Sequence, residues 1–251
     1  MTITALSDLH GRLPKIKTPF HLLLLPGDVC PPHDHYYPFQ KAWIEQKFVP
    51  WINSLPFASD DAKVVMTWGN HDYVGERMKQ PELDHIKKLT NGRLVILKNE
   101  SYVFELENHK PLTIFGTPYC KIFYNWAFMI SNDRLAEKYS KCPDDVDIII
   151  SHDAPTINGL GTIFERGGEQ AGSTVLDELI KDKKPSYFFC GHIHSGAHKF
   201  SEFGNTKMAN VSFINEQYAP CYPILSFIIN EDGSFADTSY EVVDDNDVIW
   251  Y

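Results

Sequence analysis

Residues 63–72 read Lys-Val-Val-Met-Thr-Trp-Gly-Asn-His-Asp, and this stretch indicates the class of fold. Lys63–Thr67 is a short apolar run rich in β-branched residues, which is typical of a strand buried in a sheet. A turn with a glycine follows at once and carries Asn70, His71 and Asp72, although a turn has no structural need for a histidine. Ligands collect at the carboxyl ends of strands in α/β sheets. The stretch therefore predicts an α/β fold with a functional site at the strand ends.

The same order, a buried strand followed by polar residues, occurs at four other places. Strands are predicted at Ile3–Leu6, Leu22–Leu25, Val146–Ile150 and Ser186–Cys190. The polar segments that follow them are Ser7–Gly11, Pro26–Asp28, Ser151–Asp153 and Gly191–His194. Asp8 and His10 are two residues apart, as are His192 and His194, so an extended backbone places each pair on one face. Each motif alone is weak evidence, but five together favour one shared site over unrelated histidines that are hydrogen-bonded in turns.

The side chains of these motifs are suited to divalent metal ions. Imidazole binds zinc, iron and manganese, and carboxylate and amide oxygens add harder ligands. Two such ions about 3.5–4 Å apart can hold a bridging hydroxide as the nucleophile and neutralise the charge of a phosphate. A carboxylate such as Asp28 could bridge the pair. We therefore expect a dinuclear phosphoester hydrolase that uses Mn, Fe, Zn or Mg, with Mn or Fe/Zn favoured.

Composition and charge exclude several other classes of protein. The 251 residues are 43% hydrophobic and carry a net charge of −10, so we expect no binding to a nucleic-acid polymer, which usually needs a basic surface. Five widely spaced cysteines without a CxxC pair argue against a disulfide framework and against a thiolate zinc site. No apolar run is long enough to cross a membrane. We expect one cytoplasmic domain over residues 1–251, and the sequence gives no indication of its oligomeric state.

Helical and further strand patterns complete the α/β assignment. Apolar residues at helical spacing occur in Phe39–Trp51, where Pro50 should kink or end the helix, and in Met78–Leu89, where Asn91-Gly92 should end it. Ser173 is a candidate N-cap for a third helix. Further strands are predicted at Leu94–Leu97, Tyr102–Leu106, Leu112–Phe115 and Ile224–Ile229.

The motif order resembles the calcineurin-like metallophosphoesterase superfamily, whose blocks are D-x-H, G-D, G-N-H-[DE], H and G-H-x-H. The match spans residues 3–215 with every block intact. The resemblance implies a four-layer α/β/β/α sandwich of two mixed β-sheets flanked by helices. It implies one metal ion on Asp8, His10, Asp28 and His194, and a second on Asp28, Asn70, His152 and His192. It also implies that His71 is the proton donor to the leaving group and that Asp72 orients it.

Looser segments resemble the metallophosphoesterase-domain-containing branch of the class III phosphodiesterases. They are Trp51–Pro56, Gly116–Tyr119, Asn125–Phe128, Ser151–Pro155 and Asn210–Ser212. This branch implies a small phosphodiester substrate such as a cyclic nucleotide. A phosphomonoesterase or nucleotide pyrophosphatase would use the same metal centre, and a DNA nuclease fits the acidic charge poorly. An inactive interaction module would not need all the ligand positions, and this chain keeps the first histidine of G-H-x-H.

Several residues near the motifs are candidates for substrate contact. Asn70 and His71 are expected to touch the phosphate as well as to serve the metal centre and the leaving group. His33 and His35 follow the Asp28 strand and lie either at the rim of the pocket or in a solvated loop. Tyr73 and Trp126 could contact the substrate. Apolar packing is nevertheless the commoner explanation for the aromatic run that spans residues 119–128.

Overall fold

The computed structural model describes residues 1–250, and twelve of its strands form two six-stranded sheets. In chain order these strands are β1 (Thr2–Ala5), β2 (Leu22–Pro26), β3 (Lys63–Thr67), β4 (Leu94–Leu97), β5 (Glu100–Phe104), β6 (Leu112–Thr117), β7 (Ile148–Ser151), β8 (Tyr187–Cys190), β9 (Ser201–Phe203), β10 (Thr206–Asn210), β11 (Ile224–Ile229) and β12 (Phe235–Glu241). All nine strands predicted from the sequence are present, with ends that shift by two residues at most. Three additional two-stranded pairs join Leu13–Pro14 to Val248–Ile249, Cys120–Lys121 to Met129–Ile130, and Thr162–Ile163 to Glu169–Gln170.

Both large sheets are mixed. The first has the order β12-β11-β1-β2-β3-β4, in which β1 to β4 are parallel and β11 and β12 are antiparallel to their neighbours. The second has the order β9-β10-β8-β7-β6-β5, in which the four inner strands are parallel and both edge strands are antiparallel. Parallel neighbours end at the same edge of a sheet, so the loops after them are brought together.

Three apolar cores separate four layers. Alternate residues of a strand point to opposite faces of the sheet. Leu22 and Leu24 of β2 therefore pack in the core between the two sheets, whereas Leu23 and Leu25 pack in the core under the helices of residues 37–89. In β7, Ile149 packs in a third core, which lies under the helices of residues 132–139 and 174–183. Strands buried on both faces explain why the predicted runs are continuously apolar. The prediction of an α/β/β/α sandwich of two mixed sheets is confirmed.

The helices cover the outer faces of the two sheets. They are α1 (Tyr37–Trp43), a π-helical turn (Ile44–Phe48), α2 (Val49–Asn53), α3 (Tyr73–Arg77), α4 (Gln80–Leu89), α5 (Asn132–Tyr139) and α6 (Thr174–Lys183). Short 3₁₀ helices occupy Ile157–Gly159, Phe164–Arg166 and Asp245–Asp247. Within residues 1–250, none of these helices has the length and apolar character needed to cross a membrane.

Two helix ends differ in detail from the sequence prediction. Pro50 does not end its helix: the backbone stays helical to Asn53, and the Val49 N–H bonds back to the Ile44 carbonyl through the π-helical turn. A proline lacks the N–H of a regular α-helix, and the wider turn just before it accommodates this local change. Ser173 does occupy the N-cap position of α6, but its hydroxyl makes no capping hydrogen bond.

Candidate metal centre

The structure brings together all seven side chains predicted as metal ligands, from loops that follow five different strands. Asp8 and His10 follow β1, Asp28 follows β2, Asn70 follows β3, His152 follows β7, and His192 and His194 follow β8. Two groups have ligand atoms within 4.8 Å of one another: Asp8 with His10 and His194, and Asp8 with Asp28 and His152. Both groups belong to one cluster, since they share Asp8.

Asp28 lies at the middle of this cluster. Its Oδ2 is 3.5 Å from His10 Nε2 and 3.2 Å from His152 Nε2, while its Oδ1 accepts the backbone N–H of His71 at 2.7 Å. His152 Nε2 is also 2.9 Å from Asn70 Oδ1. One carboxylate therefore faces donors from both sides of the cluster, which is the position needed to bridge two cations.

His10 provides the test of whether a cation fits here. Its side chain is buried, and neither ring nitrogen has a hydrogen-bond partner within residues 1–250. A buried polar group without a partner is costly and needs a specific explanation. Carboxylates of Asp8 and Asp28 lie 4.0 and 3.5 Å from His10 Nε2. Imidazole nitrogen beside two carboxylates is a donor set that suits a divalent cation, so the residues fit a metal site.

Asp8 is held in place by groups from the opposite sheet. Its carboxylate accepts the His192 backbone N–H at 3.1 and 3.2 Å and the Ser212 hydroxyl at 2.6 Å. His194 Nε2 lies 3.6 Å from Asp8 Oδ1, and its Nδ1 is 3.1 Å from the Asn215 carbonyl oxygen. A histidine whose second nitrogen is bound to a carbonyl has its tautomer and ring orientation fixed, as metal-binding histidines usually do.

The backbone at the cluster is strained. Asp8, His10, Asp28 and His192 have positive φ angles of 56°, 45°, 52° and 66°. Residues other than glycine rarely adopt positive φ angles, because this conformation costs them about 1 kcal/mol or more. Such strained residues are concentrated at functional sites. The tight turns that result are what direct these four side chains inward after their strands end.

Charge coupling inside the cluster is strong. Burial opposes ionisation of Asp28, but the neighbouring His152 and His71 outweigh it and hold the pKa of this carboxyl well below its usual range. Burial also acts to lower the pKa of His152, yet the Asp28 carboxylate raises this pKa to about 10 in the metal-free protein. The pKa of His192 falls to about 3, because of burial and the adjacent His152. Burial also holds the pKa of His10 well below its usual value, so His10 and His192 are neutral imidazoles, which is the form that binds a metal.

His71 lies beside the cluster and makes different contacts. Its side chain is buried, its backbone carbonyl accepts from Gln40 Nε2 at 2.8 Å, and its Nδ1 is 3.2 Å from His35 Nε2. The His35 ring in turn stacks on Tyr73 with centroids 4.4 Å apart. The loop histidine His35 therefore does reach the site, where it contacts Nδ1 of His71.

The predicted role of Asp72 requires a correction. Its hydrogen bonds are not to the His71 ring: its carboxylate accepts the backbone N–H groups of Val29, Cys30 and Gly69 at 3.2, 2.8 and 2.8 Å. The Asp72 N–H closes the turn onto the Gly69 carbonyl, so its side chain faces the loop after β2. Asp72 thus fixes the backbone next to Asp28, and the contact to the His71 ring comes from His35 instead.

A cavity of about 580 Å³ opens from the cluster. Asn70, His71 and His192 lie at its base, and Phe123 and Trp126 line one wall. The ring of Trp126 is 4.8 Å from that of His71. The other predicted contacts are less direct: Tyr73 bonds the Asn125 carbonyl, and His33 is an exposed residue whose ring packs on Phe39, so the structure does not bring it to the site.

The aromatic residues between positions 119 and 128 do not all follow one of the two predicted alternatives, which are apolar packing and contact with the substrate. Phe128 is buried in the core, as the packing interpretation predicts. Phe123 and Tyr124 are each 61% exposed, so that interpretation is wrong for them. Both residues lie in the loop between two very short strands, Cys120–Lys121 and Met129–Ile130. Their side chains therefore do not pack in an apolar core.

Two residues of the site carry no recognisable motif. Tyr218 has its ring 4.9 Å from that of His10 and 5.3 Å from that of His194. Cys120 is buried beside His152 and His192. Tyr218 lies in an irregular segment, and Cys120 resembles any buried thiol in the sequence. Only the three-dimensional arrangement identifies them.

Comparisons with known proteins agree with this geometry. The family model described as calcineurin-like phosphoesterase matches residues 1–196. Metallophosphoesterase domain-containing protein 1 of Homo sapiens is 26% identical over 231 residues, which cover 86% of this chain and 67% of that protein. One solved structure superposes with a TM-score of 0.65 at 12% identity over 97% of this chain and 99% of its own. The phosphopantetheinyl hydrolase PptH from Mycobacterium tuberculosis superposes with a TM-score of 0.51 at 15% identity, over 86% and 90% of the two chains. At these identities the two structures show a shared fold.

Proposed function

Since the chain belongs to the calcineurin-like phosphoesterase family, we propose that it is a dinuclear metal-dependent hydrolase whose preferred substrate is a small phosphodiester. The observation that carries this proposal is the pair of buried, unpartnered nitrogens of His10 beside the carboxylates of Asp8 and Asp28. Family membership supports hydrolysis of a phosphoric ester. The preference for a diester, such as a cyclic nucleotide, rests on the site itself.

The proposed ligands divide between two cation sites that share Asp28. One set is Asp8, His10, Asp28 and His194, and the other is Asp28, Asn70, His152 and His192. When bound, two divalent cations supply Lewis-acid chemistry, which neutralises phosphoryl oxygens and acidifies water. The mixture of imidazole, carboxylate and amide donors favours Mn or an Fe/Zn pair over Mg.

His71 is proposed to act on the leaving group. Its Nδ1 faces His35 at 3.2 Å, which leaves Nε2 to donate a proton to the departing ester oxygen. The Gln40 side chain fixes the residue from both sides, because it donates to the His71 carbonyl and accepts the Val74 N–H at 2.8 and 2.9 Å. A positioned general acid of this kind contributes roughly 10²–10⁴-fold to a rate.

The shape of the cavity supports a diester over a monoester. It extends beyond the cation ligands along Phe123 and Trp126, and its volume of about 580 Å³ exceeds what a phosphate group needs. An organic group on each side of the phosphorus would use this apolar wall. A phosphomonoester carries an organic group on one side of the phosphorus only and would fill less of this cavity, and a binding module without activity would need no complete ligand set.

Paired substrates and paired variants test the proposal. The metal-loaded protein should hydrolyse bis-p-nitrophenyl phosphate faster than p-nitrophenyl phosphate. His71→Ala should lower kcat by roughly 10²–10⁴-fold while the metal content per chain stays near that of the wild type. His85→Ala, in an exposed position on α4, is the control and should change neither quantity. Equal loss of metal and activity in His71→Ala would contradict the assigned role, and stoichiometric metal without hydrolysis of any ester would indicate a binding module.

A further inference from the structure

Cys120 lies at the edge of the proposed second cation site. It is fully buried in the strand Cys120–Lys121, and its Sγ lies with one ring nitrogen each of His152 and His192 in a group whose atoms are all within 4.8 Å of one another. Three of the other cysteines are also buried, yet within residues 1–250 none of them belongs to such a group. The position of this thiol is therefore specific.

The spacing is close to that of a metal-binding group. Zinc binds thiolate sulfur at about 2.3 Å and imidazole nitrogen at about 2.0–2.1 Å in a tetrahedral arrangement, so two ligand atoms of one ion are roughly 3.3–3.6 Å apart. The three atoms lie within 4.8 Å of one another, so rotation of these side chains has to bring them closer by at most about 1.5 Å. The sulfur is weakly held otherwise, since its contact is a 3.5 Å hydrogen bond to the Pro118 carbonyl.

The other donors proposed for this site are Asp28 and Asn70, which lie next to His152. His152 Nε2 faces Asp28 and Asn70 at 3.2 and 2.9 Å. The ring of His192 is 5.1 Å from that of His152 and, within the described chain, its nitrogens have no hydrogen-bond partner. A cation held by these groups would have both oxygen and sulfur donors in addition to imidazole.

We propose that Cys120 is an additional ligand of the second cation and that it makes this site selective for thiophilic metals. The inference rests on the metal centre of the proposed function and adds to it the identity of the metal. A thiolate favours Zn²⁺, Co²⁺ or Fe²⁺ over Mn²⁺ and Mg²⁺. The thiol proton is released to solvent as the cation binds. The separation of the cysteines in the sequence excludes a paired-cysteine site, but it does not exclude one thiolate among imidazoles.

Cobalt provides a test with a readout other than activity. The metal-free chain of 251 residues is titrated with Co²⁺, and a thiolate-to-cobalt charge-transfer band in the near ultraviolet reports a sulfur ligand. We expect the band in the wild type and in Cys190→Ser, because Cys190 is also buried but its sulfur faces the Ala209 carbonyl at 3.9 Å. We expect no band in Cys120→Ser, together with a loss of Zn²⁺ affinity of about 10–100-fold and a smaller loss for Mn²⁺.

Each result is decisive for one of the two proposals. A band that persists in Cys120→Ser, or a wild-type protein that binds Co²⁺ without the band, overturns the role of Cys120. If that cobalt-loaded protein still hydrolyses bis-p-nitrophenyl phosphate, the proposed function stands. A wild-type chain that neither binds Co²⁺ nor hydrolyses the ester overturns both. If Cys120→Ser does not fold, a wild-type spectrum without the band still overturns the role of Cys120.

Discussion

Gly191→Ala should damage the metal centre although it replaces none of the proposed ligands. A Cβ at this position would lie 2.9 Å from the Cβ of Ser7 and would overlap with Asp8 Oδ2 and Ser7 Oγ. Ordinary contacts begin at 3.4 Å, so the Asp8 carboxylate must move. It would lose its alignment with the His192 N–H and the Ser212 hydroxyl. Removing this kind of support typically lowers metal affinity about 10–100-fold, and a shift of about 1 Å can lower a rate about 10²-fold.

The matched control is Gly116→Ala, in β6. Its Cβ would lie 2.5 Å from the Cβ of Leu97, which is an overlap of similar size in the apolar core. Each variant should lose about 1–3 kcal/mol of unfolding free energy from overpacking, measured by urea denaturation. Only Gly191→Ala should also lose affinity for Mn²⁺ or Co²⁺, measured by calorimetric titration. Wild-type affinity in Gly191→Ala, or an equal loss in both variants, would refute the view that this glycine positions Asp8.

Three further changes address separate parts of the molecule. His35→Ala removes the partner of His71 Nδ1 at 3.2 Å, so kcat should fall about tenfold at unchanged metal content; unchanged kcat would mean that the contact is incidental. Trp126→Ala should raise KM for bis-p-nitrophenyl phosphate by about tenfold, since stacking contributes roughly 1–3 kcal/mol, and should leave KM for methyl p-nitrophenyl phosphate less affected. Asp177→Ala leaves the partly buried N–H and hydroxyl of Thr156 without their acceptor, so urea unfolding should show a loss of about 1 kcal/mol with little change in kcat; a loss of activity alone would contradict this.

The strands and the clustering of the seven candidate ligand side chains were predictable because both depend on local patterns. Continuous apolar runs identify strands covered on both faces, and polar residues directly after such strands must meet at one edge of a sheet. Lys63–Thr67 and Ile224–Ile229 have the predicted bounds. The ends of β1 and β7 differ by one or two residues, because pairing with a neighbour decides where a strand begins. The prediction that residues 1–251 form one domain stays a prediction.

What the sequence could not provide is the direction of side chains in irregular segments. Neighbouring positions such as His71 and Asp72 suggest a contact, but a closed turn sends their side chains to different sides. His33 and His35 are equivalent in the sequence, yet only His35 reaches His71. Cys120 approaches His152 through pairing of two-residue strands, and no spacing rule predicts such a contact.

The left-handed backbone at Asp8, His10, Asp28 and His192 has a consequence for engineering and for evolution. Glycine adopts these angles without the steric penalty of a side chain. At each of these four positions, glycine would therefore relieve strain while it removed a proposed ligand. A selection for heat resistance alone does not preserve these ligands, and it favours any such replacement whose relief of strain exceeds the loss of the buried hydrogen bonds that Asp8 and Asp28 accept. Aspartate and histidine in these turns thus keep the proposed ligands at the expense of backbone strain. A screen for stable variants must therefore also measure activity.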